Sequence, residues 1–164
     1  MKKLVNDKLF NLFPFIFGGI ILLGAYLLWK NLGMSYSNIK GYSTLLSSLI
    51  SFLSIIIGFY SAFYGIIISL SKSKVMVELT KSKYNGALPK LLFRSLGFSF
   101  LGLMINMSMQ VLVHYKNTWI LGVYFCWSFV TGVFLVYAFQ TALLSIAMIF
   151  YSDPEKIQKD DLEM

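Results

Sequence analysis

His114 is the one imidazole in the chain and Cys126 the one thiol. A single copy of each cannot assemble a thiol-and-imidazole metal site, which needs several such ligands. One cysteine also excludes an internal disulfide. His114 reads as an interfacial polar residue at the outer end of a helix. Cys126 reads as a packing residue, because nothing near it in sequence would ionise it. No Asp or Glu falls inside any long apolar run. Intramembrane carboxylates are the usual mark of proton relays and coupled pumps, so a proton-driven transporter is disfavoured. There is no P-loop and no dinucleotide fingerprint, and Gly97 to Gly102 is a helical packing pattern rather than a phosphate loop. Without a positioned acid, base, nucleophile or metal, the sequence predicts no enzyme, no metal and no cofactor.

The chemistry that remains is cationic. The stretch SKSKVMVELTKSKYNGALPKLLFR, residues 71–94, holds six basic residues and only Glu78 against them. Lys72, Lys74, Lys81, Lys83, Lys90 and Arg94 are candidate contacts for an anion, with Tyr84 placed to stack on a base. Two readings stand. The loop orients the chain and meets anionic lipid. Alternatively, copies of it gathered round one axis make a positive well for a nucleotide or short oligonucleotide.

The elements that position these groups are membrane helices. The chain has 164 residues and is 57% hydrophobic and 13% charged, about half the charge share of a soluble domain. Crossing a bilayer takes roughly 20 apolar residues per helix. Four runs qualify, at about 9–29, 43–70, 88–113 and 118–151, leaving a basic loop at 71–90 and an acidic tail at 152–164. The expected fold class is all-α: one integral-membrane four-helix bundle filling residues 1–164. Lys2, Lys3 and Lys8 precede the first run, but it is long and lacks a small-residue cleavage site, so it reads as a helix and not a signal peptide. Basic residues number eleven in the two terminal segments and the central stretch, against Lys30, Lys40 and Lys116 in the other loops. That bias predicts both termini in the cytoplasm and a multi-pass protein of the cell's inner, or plasma, membrane. The 34 uncharged residues of the fourth run would extend about 50 Å, against a core of roughly 30 Å, so it tilts or projects.

Two stripes of small and polar residues run along these helices. On the second, Thr44, Ser47, Ser51, Ser54, Gly58, Ser61, Gly65 and Ser69 recur at steps of three or four. They therefore share one face. On the third, Ser95, Ser99, Gly102, Asn106 and Gln110 do the same. Small residues let helices approach closely in lipid, so both stripes suit packing. A stripe of hydroxyls equally suits the wall of a water-filled pore. Asn106 needs a partner, because an unsatisfied amide in hydrocarbon costs several kcal/mol or so. The length of the first stripe predicts a symmetric homo-oligomer.

The segment SFLSIIIGFYSAFYGIIISLSKSK, the basic loop after it and the near absence of a soluble domain resemble the small four-helix transmembrane effectors of bacterial anti-phage defence, the Hailong type in outline. The resemblance is one of architecture over residues 9–151. It implies a pore-forming oligomer held shut or opened by a nucleotide or oligonucleotide, and a cytoplasmic nucleotidyltransferase partner that makes that ligand. The alternatives are a membrane interaction or immunity protein and a holin-like lysis protein.

Overall fold

The computed structural model describes residues 8–69 and 87–151, and the side chains of 10–65 and 90–143. These residues form four helices: α1 (Lys8–Leu32), α2 (Tyr42–Ser69), α3 (Ala87–Leu112) and α4 (Thr118–Tyr151). Each is long and apolar enough to cross a bilayer. The chain is thus an all-helical, multi-pass membrane protein.

Two breaks divide the described chain where its turn formers stand. Gly33 has φ 62°, and its N–H donates to the Trp29 carbonyl at 3.0 Å. That left-handed residue caps α1, a geometry glycine adopts without steric cost. Gly41, at φ 79°, leads into α2. Residues 113–117 join α3 to α4, and the Tyr36 hydroxyl donates to the Tyr115 carbonyl at 3.1 Å. The two loops are therefore tied at one end of the bundle, opposite the end where α1 begins.

The helices are not arranged as equals. α1 packs on α4, α4 on α3, and α3 on α2. α4 is central: 50% of its most apolar stretch is buried, against 17% for α1 and for α2. Its sequence is apolar on every side, as a helix surrounded by others must be. Among the described glycines, those at the α1–α4 crossing have the closest neighbours. A Cβ on Gly132 would lie 2.8 Å from the Gly18 Cα, and one on Gly18 would lie 2.9 Å from the Phe129 carbonyl oxygen. Two glycines facing one another let these backbones meet, the mode of close packing that lipid favours.

Three apolar clusters hold the rest. At the loop end, Tyr42, Leu46, Met109, Ile120, Tyr124 and Trp127 are buried together. Tyr42 meets Trp127 edge-on at 5.2 Å, and Tyr124 stacks on Trp127 at 5.7 Å. Midway, Leu53 packs with Phe134 and Ala138. Nearer the other end lie Tyr60, Leu91, Leu92, Val133 and Tyr137.

Candidate functional site

The two stripes, alike in sequence, part company in three dimensions. That of α3 turns inward. Ser95, Ser99, Gly102 and Asn106 are buried and Gln110 is half-buried. Asn106 is the polar centre of this face. Its Nδ2 donates to the Gly102 carbonyl at 2.7 Å, and its Oδ1 accepts from Trp127 Nε1 at 2.9 Å. The amide thus ties α3 to α4. Ser99 donates to the Ser95 carbonyl at 2.7 Å. Gly102 faces Leu53 of α2, where an added Cβ would find 3.4 Å, ordinary contact.

The stripe of α2 turns outward. Ser47, Ser51, Ser54, Gly58, Ser61 and Gly65 are all exposed. A Cβ on Gly58 or Gly65 would meet nothing within 4 Å. The reason lies in the large residues of the same helix. Leu46, Leu53 and Tyr60 are buried, seven residues apart, with Leu49 and Ile56 packed among them. At roughly 100° per residue that face stands about 140° round the helix from the stripe. Among the described residues, packing therefore uses the bulky face of α2 and leaves the small one exposed.

Three of the hydroxyls on this face, those of Ser47, Ser51 and Ser54, are satisfied within the helix. Ser51 donates to the Ser47 carbonyl at 3.1 Å and Ser54 to that of Ile50 at 2.8 Å. Ser47 donates to the Ser43 carbonyl at 3.1 Å and accepts from Gln110 Nε2, also at 3.1 Å. That last bond is the one link between the stripe and α3 that the described residues carry. Back-bonding of this kind spends the proton on the helix and leaves an oxygen lone pair facing out. The surface is narrow, smooth and lined with acceptors.

Of the candidate anion contacts, Lys72, Lys74, Lys81, Lys83 and Tyr84 lie outside the described residues. Lys90 and Arg94 lie within them, exposed, four residues apart at the start of α3. Arg94 Nη1 donates to Asn11 Oδ1 of α1 at 3.0 Å, and its guanidinium also stands beside the Tyr137 hydroxyl of α4. Three helices therefore meet around Arg94. His114 is exposed in the 113–117 loop, and Cys126 is exposed on α4.

One further polar contact had no signal in the sequence. Pro14 is buried inside α1. Having no N–H, it leaves the carbonyl of Phe10, four residues earlier, without its helical donor. Gln140 of α4 supplies one: its Nε2 donates to that carbonyl at 3.1 Å. A neighbouring side chain that re-satisfies a freed backbone group is what makes proline tolerable in lipid. The other amide atom, Gln140 Oε1, is buried without a partner, as is Ser95 Oγ.

No protein family, curated protein or solved structure matches the chain.

Proposed function

We propose that this chain is the subunit of a homo-oligomeric, pore-forming membrane effector. Its open state is set by an anionic ligand, a nucleotide or short oligonucleotide, at the basic segment between α2 and α3. The observation that carries the reading is the outward stripe of α2. Ser47, Ser51, Ser54, Gly58, Ser61 and Gly65 run along one exposed face with a free approach at both glycines. In hydrocarbon a polar, narrow face on a helix already packed on its other side has two uses: another helix or water. Copies related by a closed rotation bring one such face from each subunit around one axis and serve both at once. The basic segment follows this helix directly, so a ligand there acts on the element that would line the pore. It shifts the open–closed balance by its differential affinity for the two states. The positive-inside bias of the sequence supports a cytoplasmic location for that segment and both termini. The architectural resemblance to small four-helix anti-phage effectors implies the rest of this reading: a cytoplasmic nucleotidyltransferase that makes the ligand, and anti-phage defence as the setting.

A second reading is a non-conducting interaction or immunity protein. The back-bonded hydroxyls of Ser51 and Ser54 favour it, because they need no water and suit a dry helix–helix contact. Ion flux from sealed vesicles separates the two. Purified protein in liposomes should pass monovalent ions, and a short oligonucleotide on the loop side should change the flux in a salt-dependent way. Replacing Lys72, Lys74, Lys81 and Lys83 together by Gln should abolish the response to oligonucleotide. Vesicles that stay tight under every condition, in protein shown to be folded, sink the pore reading and leave the interaction protein.

A further inference from the structure

The charge of Arg94 has a different setting from that of the loop lysines. It lies near the beginning of α3 (Ala87–Leu112), the helix that follows the basic segment, where a long cationic side chain can reach headgroup level while its stem stays among apolar residues. Its two partners, the Asn11 amide oxygen at 3.0 Å and the Tyr137 hydroxyl, are both neutral. The described residues include no Asp or Glu at all. A guanidinium has five donors in a planar fork, and a membrane-embedded cation calls for a counter-charge. The side chain is nevertheless oriented by its neighbours. Asn11 bonds it from α1, and one turn further on Phe15, Phe98 and Tyr137 form a ring trio, with Phe98 stacked on Tyr137 at 5.2 Å and Phe15 edge-on to Phe98 at 5.9 Å.

We infer that Arg94 binds the phosphate of an anionic lipid, with Lys90 one turn away adding a second positive charge. The surface below it fits a lipid rather than a free phosphate. On the same face of α3, Gly97 is open, with nothing within 4 Å of an added Cβ. Leu101 beyond it is exposed. An acyl chain descending from a phosphate at Arg94 would lie along that smooth apolar strip, where a soluble phosphate has nothing to gain. Bidentate arginine–phosphate pairing matches the donors left over by Asn11 and Tyr137. The lipid would then seal the seam where α1, α3 and α4 meet. This inference goes beyond the pore reading and does not rest on it, since its test reads binding and not conductance.

The test is native mass spectrometry of the full chain, released from detergent with added phosphatidylglycerol or phosphatidylcholine. The protein should retain phosphatidylglycerol in preference. Arg94→Gln should weaken that retention about tenfold, the loss of roughly one charge-assisted contact, and leave phosphatidylcholine unchanged. Asn11→Ala, which keeps the guanidinium, should retain phosphatidylglycerol and guards against a folding defect in Arg94→Gln. Three results overturn the inference. In the first, Arg94→Gln binds phosphatidylglycerol as well as the parent does. In the second, Asp7→Asn gains phosphatidylglycerol that the parent lacks, which would make Asp7 the counter-ion. In the third, inorganic phosphate displaces the lipid at equal concentration, which would make the site one for soluble phosphate.

Discussion

Replacing Pro14 by Ala returns a backbone N–H to the position that bonds the Phe10 carbonyl in an unbroken helix. Replacing Gln140 by Leu removes the side chain that bonds it now, at 3.1 Å. The two changes should be coupled, and the sign follows from the geometry. In the parent, Gln140→Leu strands a part-buried carbonyl, at a cost of about 1–3 kcal/mol. The loss is offset in part, because the same change deletes Gln140 Oε1, which is buried without a partner. In the Pro14→Ala background the helix itself satisfies Phe10, so the stranding penalty disappears. Interhelical hydrogen bonds in lipid run from about 0.6 to 2 kcal/mol, so the coupling should be about 0.5–1.5 kcal/mol, with Gln140→Leu less costly after Pro14→Ala. Unfolding of the four proteins of the cycle in mixed SDS micelles, followed by circular dichroism, measures it. Effects that add to within about 0.5 kcal/mol would refute the claim that Gln140 serves the carbonyl freed by Pro14.

Three further outcomes follow from the same architecture. Gly132→Ala places a Cβ 2.8 Å from the Gly18 Cα, where ordinary carbon contacts are about 3.5–4.0 Å. It should cost about 1–3 kcal/mol, or roughly 2–4 °C of thermal midpoint per kcal/mol, whereas Gly24→Ala, which is exposed and has nothing within 4 Å of an added Cβ, should cost nothing. Equal melting temperatures would contradict the α1–α4 crossing. Asn106→Leu leaves Trp127 Nε1 without its acceptor and should destabilise by about 0.6–2 kcal/mol, with a shift in tryptophan emission; an unchanged spectrum and stability would refute the tie. Reporter fusions after Asn31 and after Asn117 should read as external, and a cytoplasmic signal from either would reverse the topology.

The four helices were legible because length and hydropathy suffice to mark a span, and the described helices occupy those same runs. The central place of α4 was not drawn from its sequence, although a helix apolar on every side is the kind that others surround. The stripes show where sequence reasoning stops. In lipid, both the packed and the exposed faces of a helix are apolar, so the usual inside–outside contrast is missing. Ser99 and Ser51 look alike in sequence, yet Ser99 is buried and Ser51 exposed. The difference is set by which large residues, Leu46, Leu53 and Tyr60 on α2, find partners. The Gly18–Gly132 crossing uses one glycine from each of two helices, and no repeat announces it. The Pro14–Gln140 pair spans most of the chain, and its logic appears only when the freed carbonyl and the amide are seen together. Of the predicted anion contacts, only Lys90 and Arg94 fall among the described residues, and Arg94 contacts α1 and α4 rather than the stripe of α2.

The claim on which the proposed function turns is that the outward face of α2 meets copies of itself. The mass of the protein particle in mild detergent, by light scattering after size exclusion with the detergent subtracted, tests it most directly. One chain weighs 18.7 kDa. The account predicts a single species at an integer multiple of that mass. It also predicts that Gly58→Leu and Gly65→Leu collapse the particle to the monomer, with the monomer's own fold intact because both sites open onto empty space. A parent protein that runs as a monomer, unchanged by either substitution, would contradict it.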